Sequence, residues 1–131
     1  MPLRPLLWPF FFAATVAFAA EAPKIAPAEA AKLVAAGKAV LVDVREPAEW
    51  AETGVAAPAV LLPKSDFDGA KKQWNEFLAS VGDKQVVLYC RSGRRSGVIA
   101  NALAEKGLRV ANSGGFQAWA DAGLPVRNVE K

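Results

Sequence analysis

A chain of 131 residues has room for one domain, and its apolar fraction of 53% is enough to build a core. The formal net charge is only +3, with no Lys/Arg run and no alternation of basic and aromatic residues, which excludes a basic nucleic-acid binder. There is no His and only one Cys, which excludes Cys-His and Ser-His catalysis, His-containing metal sites and an internal disulfide.

Residues 1–20 read MPLRPLLWPFFFAATVAFAA: one charge (Arg4), an apolar stretch, then the small-x-small pattern Ala17-Phe18-Ala19. This is the pattern of a secretory signal peptide, residues 1–19, with cleavage expected after Ala19 or Ala20. The uncharged run from Pro5 to Ala20 is shorter than the roughly 20 residues that a spanning helix needs, so no stable membrane anchor is expected. Loss of Arg4 leaves a mature domain, residues 20–131, with a net charge of +2. Export implies an oxidising compartment, in which a lone Cys is intermolecularly paired, buried and inert, or reactive.

Ile25 is placed to start a short edge strand. Pro27 opens a helix that Gly37 closes, with Leu33 and Val34 toward the core. Ala39–Val44 is a continuous apolar run with one acid, and its length and β-branching predict a strand buried on both faces. Pro47 and Gly54 bracket a short helix. Residues 57–62 form a weaker strand between Pro58 and Pro63. Residues 66–81 carry Trp74, Phe77, Leu78 and Val81 at i, i+3, i+4, i+7, which predicts one helix with an apolar face. Gly82-Asp83-Lys84 is a turn, Gln85–Tyr89 a second buried strand, and residues 93–106 a helix stopped by Gly107. Residues 108–111 form a last short strand, 112–115 a turn, and 116–122 a short helix before Gly123 and Pro125. Strands alternating with helices, with apolar runs that lack polar alternation, predict an α/β fold: about five strands in a mainly parallel sheet, with helices on both faces.

In such sheets ligands bind beyond the C-terminal ends of the strands, and Cys90 stands at one of them. It is followed by Arg91, Ser92, Gly93, Arg94, Arg95 and Ser96, a short loop entering a helix. Such a loop aims unpaired N–H groups at one point, and with three arginines it favours negative charge there. The thiol should therefore ionise more readily than free Cys, without a general base. Two reactions suit a thiolate in an N–H cradle: attack on phosphorus and attack on the outer sulfur of a small sulfur anion. A tyrosine-phosphatase-type loop has five residues between Cys and Arg. Here that count reaches Ser96, with Arg95 one residue earlier, and the tighter loop suits a single sulfur atom. Asp43 reads as a buried acid satisfied by loop N–H groups. Arg45 either lies beside the pocket or pairs with an acid.

The segment CRSGRRS after an apolar strand resembles the active-site loop of rhodaneses, the thiosulfate sulfurtransferases. Asp43-Val44-Arg45-Glu46 with Glu49-Trp50, Gly114-Gly115-Phe116-Gln117-Ala118-Trp119, and Gly123-Leu124-Pro125-Val126 resemble further segments of that family, in the same order. The similarity runs from about Ile25 to Val126 and is greatest to small, exported, single-domain forms of the bacterial periplasm. One segment departs: the family's GHIPGA-like turn is replaced by residues 54–59, with Val55 in the place of the His. The resemblance implies that Cys90 takes the outer sulfur of thiosulfate or a similar donor. The N–H groups of residues 91–96 then stabilise the persulfide, and a thiophile such as cyanide removes the sulfur. It implies that Arg95 bonds within the loop, that Arg91, Arg94 and Arg95 attract the anionic donor, and that Asp43 and Arg45 support the site. No cofactor or metal is implied. The alternatives are a persulfide carrier that delivers sulfur to a partner, such as a periplasmic thiol protein, and a Cys-based phosphatase or arsenate reductase.

Overall fold

A computed structural model describes residues 21–130; the segment read as a signal peptide lies outside the described residues. A four-stranded, all-parallel sheet in the order β3-β1-β4-β5 runs through the molecule, built from β1 (Ala39–Asp43), β3 (Val60–Leu61), β4 (Gln85–Cys90) and β5 (Val110–Gly115). The fold is the α/β class expected, with four strands in the main sheet where about five were expected. The remaining strand pairing is a separate antiparallel ribbon of β2 (Val55–Ala56) and β6 (Val126–Arg127). Its β2 strand lies in the segment, residues 54–59, where the sequence departs from the family pattern. Arg127 ties it down by donating to the carbonyls of Ala57 and Ala59 at 3.1 and 2.9 Å.

Both faces of the sheet are covered, which is why its strands are apolar without alternation. On one face Val42, Val44, Val86, Leu88, Cys90 and Val110 pack under α3 (Lys64–Asp68), α4 (Lys72–Ser80) and α5 (Arg94–Glu105), through Phe67, Trp74, Ile99 and Leu103. On the other, Ala39, Leu41, Val87, Tyr89 and Ala111 pack against α1 (Pro27–Ala35) and α6 (Phe116–Asp121), through Ala30, Phe116 and Trp119. Pro at the first turn starts both α1 and α2 (Pro47–Thr53), and α2 adds a capping box between Glu46 and Glu49.

Three expectations differ from the structure. The single helix over 66–81 is two helices, broken between Asp68 and Lys72, with Lys71 left-handed at φ 58°. Gly69 weakens the helix there, and the Asp66 carboxylate accepts the Trp74 N–H at 2.9 Å, capping α4 from the preceding element. The apolar face itself survives in α4, with Trp74 buried edge-on to Phe67 at 5.3 Å. The turn expected at 112–115 is instead the continuation of β5. Asn112 stays in the sheet because its N–H donates to Pro23 (2.9 Å) and its carbonyl accepts from Ile25 (3.0 Å) along the outer edge. The expected edge strand at Ile25 is reduced to one bridge, Lys24 with Asn112.

Candidate active site

The site is assembled at the C-terminal ends of β1, β4 and β5. β4 and β5 pair in register up to Leu88–Asn112, but Cys90 faces Gly115, so β5 carries one extra residue at the site. This bulge bends β5 beneath the Cys90 loop. Gly115 has to be glycine: a Cβ there would stand 2.3 Å from the Arg91 carbonyl oxygen. Gly93 adopts φ 92° at the start of α5, a conformation that turns the chain back over the thiol.

Cys90 is fully buried, with its Sγ directed to the loop. The Gly93 N–H donates to Sγ at 3.0 Å, and the Ser96 hydroxyl lies 3.4 Å away. Burial pushes the thiol toward the neutral form. The Ser96 hydroxyl and the N–H groups of Ser96, Ser92 and Gly93 outweigh it and hold the thiol below its ordinary pKa. The loop thus aims an N–H group at the thiol at hydrogen-bond distance. The three arginines are placed differently.

Arg91 and Arg94 are exposed. Arg95 does not bond within its own loop as expected. It makes a bidentate pair with Glu49 on α2, at 2.6 and 2.8 Å, which ties the start of α5 to α2. The Arg95 hydrogen bonds are the main reason that the Glu49 carboxyl falls to about 2. Asp43 and Arg45 lie under the site and form a fully buried pair, with Arg45 Nη2 2.8 Å from Asp43 Oδ2 and Nε 3.1 Å from both carboxylate oxygens. The Asp43 carboxylate also accepts the Arg45 N–H at 2.9 Å. Arg45 spends its other donors on Thr53 Oγ1 and the Gly54 carbonyl, both at 2.9 Å, and lies 4.7 Å from the Phe116 ring centre. Burial opposes its charge, but Asp43 outweighs that and keeps the guanidinium charged. Both alternatives read for Arg45 therefore hold: it pairs with an acid and it lies beside the pocket.

A cleft of about 250 Å³ opens between Arg45, Glu49, Glu52, Arg91 and Phe116. Two of its charges are already neutralised, Arg45 by Asp43 and Glu49 by Arg95. Arg91, the residue after the thiol, also lines this cleft and has no ion pair among the described residues. No group of His, Cys, Asp and Glu among the described residues could hold a metal ion.

The site contains one residue that the sequence reading passed over. Asn112 accepts from Ser96 Oγ at 2.8 Å and from the Gly114 N–H at 3.1 Å, and donates from Nδ2 to the Gly93 carbonyl at 2.9 Å. Its surrounding Asn-Ser-Gly-Gly reads as a turn, but Asn112 lies in β5 paired with Leu88, which sets its side chain against the loop.

A parallel α/β sheet with a thiol cradled by N–H groups at a strand end defines a protein built for nucleophilic sulfur chemistry. Residues 26–122 match the Rhodanese-like domain, and the chain belongs to that family. A sulfurtransferase of Allochromatium vinosum is 39% identical over 89 residues, covering 66% of this chain and 77% of that protein. Two solved structures are similar in fold. One is a polysulfide-sulfur transferase homodimer from Wolinella succinogenes (TM-score 0.65, 26% identity, 82% of this chain and 80% of the other). The other is a Rhodopseudomonas palustris protein of unknown function whose description reads "possible tyrosine phosphatase" (TM-score 0.68, 29% identity, 81% and 85%). The chain spans 54%, 77% and 63% of the length of the first three curated relatives it matches. Family and relatives together support sulfur transfer as the class of activity.

Proposed function

We propose that the protein moves sulfane sulfur from thiosulfate or a similar anionic donor to a thiophilic acceptor through a persulfide on Cys90. The observation that carries this is the 3.0 Å approach of the Gly93 N–H to a buried Sγ, in a chain without His. In the first half-reaction the Cys90 thiolate attacks the outer sulfur of thiosulfate. An S–S bond forms at Sγ, the donor's S–S bond breaks, and sulfite leaves with the bonding pair. In the second, cyanide or a thiol takes the outer sulfur and returns the thiolate. The N–H groups of residues 91–96 stabilise the anion that is present throughout, as oxyanion-hole donors do for oxygen. Arg91, at the cleft, draws in the anionic donor. Asp43 and Arg45 act as the floor.

The phosphatase reading needs a guanidinium turned to the anion at the position that Arg95 approximates. That guanidinium is turned to Glu49 instead, and the loop is one residue short. A carrier that hands sulfur to a protein thiol is favoured by one feature: Arg94 and Val98, four residues apart on α5, are both exposed on one face beside the loop. We place the protein in the bacterial periplasm, after removal of residues 1–19, on the pattern of its N-terminus.

Intact mass of the exported protein tests these statements together. Thiosulfate should add one sulfur atom, cyanide should remove it, and Cys90→Ser should gain nothing. A wild-type mass unchanged by thiosulfate and by organic persulfides rules out the persulfide. A stable adduct that cyanide leaves in place, but that forms a trapped mixed disulfide with one periplasmic protein, favours the carrier.

A further inference from the structure

The Ser96 hydroxyl has one proton and two acceptors within reach, Asn112 Oδ1 at 2.8 Å and Cys90 Sγ at 3.4 Å. The orientation of the Asn112 amide is fixed from both ends. Its Nδ2 donates to the Gly93 carbonyl at 2.9 Å, and its Oδ1 accepts the Gly114 N–H at 3.1 Å. Turning the amide over would set its NH2 against the Gly114 N–H and break both bonds. The backbone is held as firmly, by Pro23 and Ile25 on one side and the β4 pairing on the other. Oδ1 is therefore a stationary competitor for the Ser96 proton. A neutral thiol is a weak acceptor and loses that competition at these distances. A thiolate, as a charged acceptor, wins it.

We propose that Asn112 is a positioning residue that parks the Ser96 hydroxyl proton while the Cys90 sulfur is neutral and yields it when that sulfur is charged. The proton has a place in every state of the cycle. It lies on Oδ1 beside the thiol and turns to Sγ beside the thiolate. It returns to Oδ1 once a second sulfur is bound, because the charge then sits on the outer atom, about 2 Å beyond Sγ. The hydroxyl thus gives the thiolate less than a free donor would. The sulfur stays a better nucleophile, since nucleophilicity falls with thiol pKa. The inference rests on Cys90 being the reacting thiol.

With no other Cys and no His in the chain, the rate of iodoacetamide alkylation against pH reports the Cys90 thiolate alone. It needs no sulfur donor, so its outcome is separate from that of the sulfur-transfer test. The charged groups around the site are Arg91, Arg94 and Arg95 on the loop, Asp43 at the end of β1 and Arg45 just after it, Glu49 on α2 and Lys24 at the edge. None of their side chains hydrogen-bonds to the Asn112 side chain among the described residues.

The measurement is the effect of Ser96→Ala on the thiol–thiolate equilibrium in three backgrounds. In Asn112→Leu the hydroxyl is free for sulfur, and its loss should cost about tenfold in thiolate, as for one hydrogen bond to a charged group. In the wild type the cost should be several-fold smaller, and in Asn112→Asp, where the competitor is charged, smaller again. An equal Ser96→Ala effect in all three, as a merely structural Asn112 would give, or the reverse order overturns the proposal. If Asn112→Leu does not fold, the wild type and Asn112→Asp decide it: an effect in Asn112→Asp equal to or larger than that in the wild type overturns it.

Discussion

Two Arg–carboxylate pairs flank the same cleft, and they differ in their access to water. Asp43–Arg45 is almost wholly buried, with only an edge of Arg45 at the cleft, while Glu49–Arg95 is partly open, with about a third of the Arg95 side chain exposed. Each is bidentate, with contacts of 2.8 and 3.1 Å in Asp43–Arg45 and of 2.6 and 2.8 Å in Glu49–Arg95. Water decides what each can do. The buried pair has traded hydration for fixed partners, and every remaining Arg45 donor that hydrogen-bonds goes to Thr53 or Gly54. Such a pair is a rigid floor that fails badly if halved. The open pair keeps much of its solvation, so its strength is modest and salt-dependent. A catalytic loop needs both properties. Phe116 is held in place over Arg45, whereas in the proposed reaction the α5 end of the loop, tied to α2 through Arg95, is the part that gives way as a donor enters.

The largest test of this contrast is Asp43→Ala. It leaves the Arg45 guanidinium buried without a counter-charge, and denaturant unfolding should show a loss of about 3–5 kcal/mol. That loss should be much the same at low and high salt, because a pair this deeply buried is screened little. A loss below about 1 kcal/mol would mean that the floor is as solvated as the rim, and the contrast would collapse.

How well each region could be read from sequence follows the same division between local and non-local causes. The strand ends that carry Asp43 and Cys90 were legible because an apolar run buried on both faces is a local signal. The Gly93 turn and the loop N–H groups were legible because a loop entering a helix is set by the residues within it. The Glu49–Arg95 pair was not, since it joins side chains 46 residues apart and nothing in CRSGRRS says which way its guanidinium turns. Arg45 was legible to the extent that an acid stands two residues away. Asn112 was misread because Asn-Ser-Gly-Gly is turn chemistry, while its place in β5 depends on Pro23 and Ile25 supplying the outer edge. Lys71 fails in the same way: the helix break there rests on a cap from Asp66, which helical periodicity does not register.

The smaller effects lie at the open pair. Glu49→Gln should cost less than about 1 kcal/mol, and less again at high salt, with unfolding midpoints as the measure. Its pH dependence has a definite sign. Arg95 lowers the folded Glu49 carboxyl from about 4.5 to about 2, so the folded state favours the ionised form. The contribution is therefore complete above about pH 4.5, is lost progressively as pH falls toward 2, and is absent below that. Glu49→Gln removes the acid step, so the stability difference between wild type and variant should shrink over that window. The Asp43→Ala deficit, measured over the same window, provides the comparison from the closed site. If the Glu49→Gln difference instead stays constant from pH 6 down to pH 2, Glu49 is not the group that titrates there. The tie between α2 and α5 would then owe its strength to packing, with the charge on Arg95 contributing nothing.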